Sequence, residues 1–116
     1  MIIGIIGAGQ LGMMLGESAR ELGFDCIFLD PNKNSPAKKI GEVLNFEFRD
    51  LLAIKKLSSQ CDLITYEFEN VPVKSINTLD PRKVYPPSEA LEITQDRLKE
   101  KQLFKIIHLH LVKKKN

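Results

Sequence analysis

The first twelve residues restrict the fold more than any other part of the chain. Ile2–Ile6 is an uninterrupted apolar, mostly β-branched run, which is typical of a central parallel strand buried on both faces. The glycine loop Gly7-Ala8-Gly9-Gln10-Leu11-Gly12 follows at once. From about Gln10 the apolar spacing becomes helical. A strand, a glycine loop and a helix in this order predict the start of a parallel βαβ unit.

The same alternation continues along the chain. Further strands are predicted at 25–30, 43–46, 61–66 and 83–85, and helices at 10–22, 37–41, 51–58, 72–79, 89–94 and from 97 onward. Gly23 is expected to end the first helix, and Asp50 is expected to cap the helix at 51–58, with Leu51, Leu52, Ile54 and Leu57 facing inward. Repeated strand–helix units predict an α/β fold, a doubly wound parallel sheet of the Rossmann-like type. In such a sheet the ligand crevice lies at the carboxyl ends of the strands.

Composition excludes several classes of function. The net charge of +2 is too small to predict nucleic-acid binding, and the lysines at 113–115 are interpreted as a solvated tail. No apolar run approaches the ~18 residues of a membrane span, and because Met1 leads directly into the first strand, no secretory signal is expected. Cys26 and Cys61 are predicted to be buried and reduced, as in a cytoplasmic protein. His108 and His110 lack companion ligands, so no metal site is predicted.

The glycine loop and Asp30 each allow two interpretations. Gly9 lets the backbone approach a ligand, and the helix start offers free N–H groups to an anion such as phosphate; the alternative is a tight turn with no ligand. Asp30 follows Gly12 by 18 residues. A carboxylate at this spacing suits the ribose of NAD, but an aspartate before Pro31 is also a common way to start a turn.

Two charged segments are further candidates. If the strand at 61–66 continues, Glu67 and Glu69 share one face, where they could hold sugar hydroxyls or a ring amine; the alternative is two solvated glutamates in a loop. Arg97 lies in a charged helical stretch at 96–101. It is either aimed at a nucleotide phosphate or part of a solvated helix face.

The motifs together resemble one family. They are Gly7-Ala8-Gly9-Gln10-Leu11-Gly12-Met13-Met14, Leu29-Asp30-Pro31 with Ser35-Pro36-Ala37, Cys61-Asp62 through Thr65-Tyr66-Glu67-Phe68-Glu69-Asn70-Val71-Pro72, and Gln95-Asp96-Arg97-Leu98-Lys99-Glu100-Lys101. In this order they closely resemble the N-terminal domain of the N5-carboxyaminoimidazole ribonucleotide synthases. That family is the ATPase subunit of phosphoribosylaminoimidazole carboxylase, in the ATP-grasp superfamily. The resemblance covers about residues 2–105.

The resemblance implies a purine-biosynthesis ligase that carboxylates 5-aminoimidazole ribonucleotide with ATP and bicarbonate. It implies that Gly9, Gln10, Leu11 and Glu67 bind the ribonucleotide, with Glu69 in the same pocket, and that Arg97 contacts ATP. Mg²⁺ would bridge the phosphates, and the full-length family could form a homodimer. On this interpretation the main role of Asp30 is to start the turn before Pro31.

The resemblance also implies a division of the chain. Residues 1–95 would form a pre-ATP-grasp substrate-binding domain and residues 96–116 a linker helix with an atypical tail, while the ATP-grasp body would be absent. The tail lacks the proline expected after Lys105, as a truncated gene or a shifted reading frame would explain. The chain alone is therefore expected to bind substrate without catalysis. The alternatives are an NAD(P)-binding Rossmann domain of an oxidoreductase or regulator, and a remnant or partner of a separate ATP-grasp fragment.

Overall fold

A parallel four-stranded sheet forms the centre of the molecule. The computed structural model describes residues 1–67, 70–87 and 100–115, with side chains from 104 onward in the last range. The strands are β1 (Ile2–Ile6), β2 (Asp25–Leu29), β3 (Glu42–Leu44) and β4 (Leu63–Tyr66). Their order in the sheet is β3-β2-β1-β4, so the chain winds outward from β1 in one direction and then returns to its other side. The doubly wound parallel sheet predicted from the sequence is confirmed, with its switch point between β1 and β4.

Helices and turns connect the strands. They are α1 (Gln10–Glu21), a 3₁₀ turn (Pro36–Lys39), α2 (Leu51–Gln60), α3 (Val73–Ile76) and α4 (Glu100–Lys115). Both α1 and α2 pack on β1 and β2. Because right-handed crossovers in opposite directions place their helices on opposite faces, α1 and α2 enclose the sheet between them. No helix among the described residues combines the length and apolar character that crossing a membrane requires.

The predicted signals at helix ends are confirmed. Gly23 has φ +86°, a left-handed conformation that glycine adopts without strain, directly after α1. The Asp50 side chain accepts a hydrogen bond from the Ala53 amide at 3.1 Å and so caps α2. On α2, Ile54 and Leu57 are fully buried. These local features fix where the two crossover helices begin and end.

Three expectations from the sequence were wrong in detail. Leu52 is 81% exposed, because the buried face of α2 is formed by residues 53, 54, 57 and 58 and Leu52 lies outside it. The helix expected at 72–79 is a single turn at Val73–Ile76. The strand expected at 83–85 is reduced to one parallel bridge between Ile64 and Val84. The helix expected at 89–94 lies outside the described residues.

The last helix packs onto the rest of the molecule. Ile107 and Leu111 of α4 are fully buried, and α4 lies against α1. The His108 ring forms a hydrogen bond with the Ser18 hydroxyl, and the His110 ring stacks on Tyr85 at a centroid distance of 3.7 Å. The part of the predicted linker and tail that the structure describes is therefore a helix with a buried face.

Candidate functional site

The glycine loop turns sharply between β1 and α1. Gly7 has φ +113°, a conformation that favours glycine, and its amide donates to the Leu29 carbonyl at 2.8 Å. Gly9 occupies the N-cap position of α1, where it supplies no side-chain cap. The first amides of an α-helix have no carbonyl partner within the helix. The loop therefore presents backbone donors at the carboxyl edge of the sheet.

The Glu67 side chain fills the space beside this loop. Glu67 directly follows β4 and is 8% exposed. Its Oε1 accepts a hydrogen bond from the Gly12 amide at 3.0 Å, and its Oε2 accepts one from Asn70 Nδ2 at 3.2 Å. A Cβ added to Gly7 would lie 2.7 Å from the Glu67 carboxyl carbon. The glycines thus make room for a carboxylate that arrives from the neighbouring strand.

Asp30 supports the loop from its other side. Its Oδ2 accepts a hydrogen bond from the Ala8 amide at 2.8 Å, while its Oδ1 accepts one from the Asn32 amide at 2.9 Å. The second bond is the turn predicted before Pro31. The carboxylate therefore stabilises both the loop and the turn, which is the structural role expected of Asp30 when the loop serves a ribonucleotide.

The charges around the loop decide which ligand groups suit it. Asp30 and Glu67 take the amides of Ala8 and Gly12, which leaves those of Gln10 and Leu11 in the first turn of α1. A phosphate bound to the Gln10 and Leu11 amides would lie close to the carboxylates of Asp30 and Glu67. Because like charges repel, this position is unfavourable for a phosphate. A carboxylate has about four acceptor positions, so Glu67 can still accept hydrogen bonds. This geometry favours a hydroxyl or amine donor over a phosphate beside Glu67.

The structure brings together four of the residues predicted for the site. Gly9, Gln10 and Leu11 lie at the start of α1, and a Cβ on Gly9 would be 3.4 Å from Glu67 Oε1. Leu11 is 7% exposed, so its backbone amide, and not its side chain, is what a ligand could meet. Glu69 lies outside the described residues.

Arg97, which was predicted to contact ATP, also lies outside the described residues. Asn70 was not predicted as the hydrogen-bond partner of Glu67, although an amide three residues after an acid in a loop could have suggested it. Among the residues that the structure describes, no three His, Cys, Asp or Glu side chains gather as metal ligands would.

Comparison with known proteins places this chain in a family. A family model described as "Ribonucleotide synthetase preATP-grasp domain" matches residues 1–95. The chain belongs to that family: it is a preATP-grasp domain of the ribonucleotide synthetase type, built as a Rossmann-like sheet with a carboxylate over its glycine loop.

Named relatives agree on a particular enzyme. The chain is 41% identical over 102 residues to the N5-carboxyaminoimidazole ribonucleotide synthase of Staphylococcus saprophyticus, a match that covers 86% of the chain and 27% of that protein. The solved N5-carboxyaminoimidazole ribonucleotide synthetase of Thermus thermophilus is 46% identical, with a TM-score of 0.74 over 89% of this chain and 29% of that chain. The Staphylococcus aureus enzyme complexed with ADP is 35% identical, with a TM-score of 0.70, over 87% and 28%. The resemblance expected from the motifs is confirmed, and the chain spans little more than a quarter of the length of these relatives.

Proposed function

We propose that this chain is the ribonucleotide-binding part of an N5-carboxyaminoimidazole ribonucleotide synthase. The whole enzyme would use ATP and bicarbonate to carboxylate the exocyclic amine of 5-aminoimidazole ribonucleotide in cytoplasmic purine biosynthesis. The observation that carries the proposal is the Glu67 carboxylate held against the glycine loop at the switch point of the sheet. Membership of the family and the names of its relatives support the same assignment.

In this proposal the first turn of α1 and Glu67 share the recognition of the substrate. The free acceptor positions of Glu67 take a hydrogen from the amine or from a ribose hydroxyl. The amides of Gln10 and Leu11 donate to a neutral oxygen of the ligand, and Gly9 allows the close approach. Glu69 joins the same pocket.

The nucleotide and metal parts of the reaction are assigned mostly to other parts of the enzyme. The solved relative with ADP supports use of an adenine nucleotide, and Arg97 is the residue of this chain that we assign to ATP. Mg²⁺ would accompany the nucleotide, as the resemblance to the family implies. Phosphoryl transfer requires cations positioned around the γ-phosphate. The chain alone is therefore expected to bind substrate without hydrolysing ATP, and a homodimer is one assembly that the complete enzyme could form.

Calorimetric titration of the 116-residue chain with 5-aminoimidazole ribonucleotide tests the proposal. We expect saturable binding that weakens about tenfold or more in Glu67→Gln, because a hydrogen bond to a charged group contributes ~1.5–3 kcal/mol. Gln10→Ala tests the side chain at the start of α1. Weaker binding of the ribonucleotide in that variant would show that the Gln10 side chain is part of the site. Glu17→Gln changes an exposed acid on the outer side of α1 and should bind normally. Equal affinity in Glu67→Gln and the parent chain would contradict the assignment.

Two further assays separate this proposal from its rivals. NADH fluorescence should show no saturable binding, because the Glu67 carboxylate already accepts the Gly12 amide beside the glycine loop, where the pyrophosphate of a dinucleotide would have to bind, and like charges repel. Bicarbonate-dependent ATP hydrolysis should not exceed that of a Glu67→Ala control. Micromolar NADH binding would favour a nicotinamide-binding domain, and hydrolysis above the control would show that the chain is catalytically complete.

A further inference from the structure

A cavity lies apart from the glycine loop, between α2 and α3. Its volume is about 320 Å³, and it is lined by Arg49, Leu51, Pro72, Lys74 and Ser75. This is at the lower end of the ~300–1,000 Å³ range of small-molecule sites. The first residue of α2 and the residues that begin α3 form its walls. Both helices start after strands end, so the cavity opens at the carboxyl edge of the sheet.

Positive charge dominates the lining of this cavity. Arg49 and Lys74 are exposed, and neither forms an ion pair within the part of the chain that the structure describes. The nearest acid in the sequence is Asp50, whose Oδ1 already accepts the Ala53 amide as the cap of α2. The Asp50 carboxylate offsets the positive end of α2, so the side chains of Arg49 and Lys74 are the source of positive charge in the cavity. The cavity is therefore suited to an anion.

The cavity wall between Arg49 and Lys74 is held in place by a hydrogen bond and by a proline. Ser75 is 2% exposed, and its hydroxyl donates to the Phe48 carbonyl at 2.7 Å, which ties α3 to the segment before α2. Pro72 fixes the backbone at the start of α3. Because Arg49 and Lys74 project from these connected segments, their side chains need little rearrangement of the backbone to meet around one ligand.

We propose that this cavity binds a phosphate group, with Arg49 and Lys74 as its cationic partners. A guanidinium can donate two parallel hydrogen bonds to phosphate oxygens, and an ammonium adds a point charge from another direction. The shared chemistry fits free inorganic phosphate or the phosphate of a monoester. The inference stands on the cavity and does not depend on the ribonucleotide assigned to Glu67.

The placement also complements the charge pattern at the glycine loop. Glu67 and Asp30 make that loop unfavourable for phosphate, whereas this cavity carries the opposite sign. Asn70 contacts Glu67, and Pro72 of the cavity wall is only two residues further along the chain. A chain covers at most ~3.6 Å per residue, so the cavity lies within a short distance of the loop. A phosphorylated ligand could therefore find separate places for its phosphate and its hydrogen-bond donors.

Titration of the full chain with sodium phosphate, followed by amide NMR in a phosphate-free buffer, tests the site. We expect saturable shifts at Leu51 and Ser75, with affinity reduced about tenfold in Arg49→Gln and in Lys74→Gln. Lys55→Gln removes one exposed positive charge from the same helix and should leave the affinity within about twofold, because surface charges at a distance are screened. Circular dichroism of each variant establishes that it is folded.

Ribose 5-phosphate, titrated in parallel, distinguishes the two sources of phosphate. Tighter binding of the monoester than of inorganic phosphate identifies a sugar phosphate as the ligand, and equal binding identifies free phosphate. Lack of saturation at ~10 mM phosphate, well above a ~1 mM dissociation constant, would overturn the proposal. Equal affinity in Arg49→Gln, Lys74→Gln and the parent chain would also overturn it. Neither result would affect the binding of 5-aminoimidazole ribonucleotide at Glu67, which is measured separately.

Discussion

The Glu67 carboxylate accepts a hydrogen bond from the Gly12 amide at 3.0 Å, across a separation of 55 residues. Gly12 lies in the first turn of α1, which follows β1, while Glu67 directly follows β4. Because β1 and β4 are neighbours in the sheet, their carboxyl ends bring the loop and the acid together. The contact thus joins the start of the chain to its fourth strand at the point where a doubly wound sheet forms its crevice.

Replacing Glu67 should separate its structural role from its proposed binding role. Glu67→Ala leaves the Gly12 amide and the Asn70 side chain without their acceptor, and a buried donor without a partner costs ~1–3 kcal/mol. Glu67→Gln retains an oxygen that can accept from Gly12. We expect urea unfolding to show a loss of about 1–3 kcal/mol for the alanine variant and a smaller loss for the glutamine variant. Equal stability of Glu67→Ala and the parent chain would show that the contact contributes nothing to folding.

Two glycines of the loop should differ in their tolerance of a methyl group. A Cβ on Gly12 would lie 2.2 Å from the Gly7 carbonyl oxygen, a backbone atom that cannot move away alone. A Cβ on Gly9 would lie 3.4 Å from Glu67 Oε1, an ordinary contact with a side chain. We expect Gly12→Ala to lower the unfolding free energy by ~1–3 kcal/mol, the usual range for overpacking, and Gly9→Ala to lower it less. Thermal unfolding of both variants side by side checks the order, and a reversed order would contradict the loop geometry.

Much of this fold is encoded in local sequence signals. The buried run at Ile2–Ile6, the glycine loop and the Asp50 cap each act within a few residues, and each prediction made from them is confirmed. The order β3-β2-β1-β4 was not predictable, because strand order depends on which surfaces pack together far along the chain. The strand predicted at 83–85 is reduced to the single bridge at Val84, since a short apolar run does not reveal how many residues will pair.

Several residues of the candidate site could be singled out from the sequence, but the contacts between them could not. Glu67 and the glycine loop were both singled out from the motifs, and the strand was predicted to end at Tyr66, but period-two alternation could not show that the Glu67 side chain then reaches the Gly12 amide. The double role of Asp30 was also hidden, because the bond to Ala8 is a contact between two strand ends. Such contacts follow from the sheet register and not from the spacing of residues along the chain.

The buried thiol of Cys61 should make stability fall in alkaline solution. Burial raises its pKa from 9.0 to about 11, with Lys83 lowering it and Asp62 raising it by smaller amounts. Because the folded chain holds this proton more tightly than the unfolded chain, its contribution is complete below pH ~9 and is lost as the pH rises towards ~11, a difference of roughly 2–3 kcal/mol. Urea unfolding at several pH values should show this decline, and Cys61→Ala should reduce it.

Alkylation offers a control for the same thiol. Cys61 is 4% exposed, whereas Cys26 is half-buried, and the thiolate is the reactive form. Iodoacetamide at pH 8 should therefore modify Cys26 faster than Cys61 in the folded chain, and the two at similar rates in urea. A faster reaction at Cys61 in the folded chain would show that the thiol is not buried in solution.

Because His110 of α4 stacks on Tyr85, the packing of α4 on the rest of the molecule should weaken as the pH falls. Burial lowers the pKa of His110 below its usual 6.5, and the positive charges of Lys114 and Lys113 lower it further. The folded chain binds this proton less readily than the unfolded chain, so the contribution to stability is complete above pH ~6.5 and is lost as the pH falls through the lower folded pKa. The His110 Nε2 is buried without a partner among the described residues, so protonation would add an unpaired charge there.

Matched histidine variants test the effect. His110→Phe keeps an aromatic ring against Tyr85 and removes the titrating group, so its unfolding free energy should lose this fall in acid while staying close to that of the parent chain near pH 7. His108 forms a hydrogen bond with Ser18, and it lies beside Phe104 at a ring-centroid distance of 5.9 Å. His108→Phe should therefore lower stability near pH 7, by about 0.5–1.5 kcal/mol for the lost bond, while keeping the fall in acid that His110 produces. Amide hydrogen exchange of α4 at pH 5 and pH 7 provides the measurement. If the loss of protection in acid persisted in His110→Phe and disappeared in His108→Phe, the acid sensitivity would belong to His108 and the prediction would be wrong.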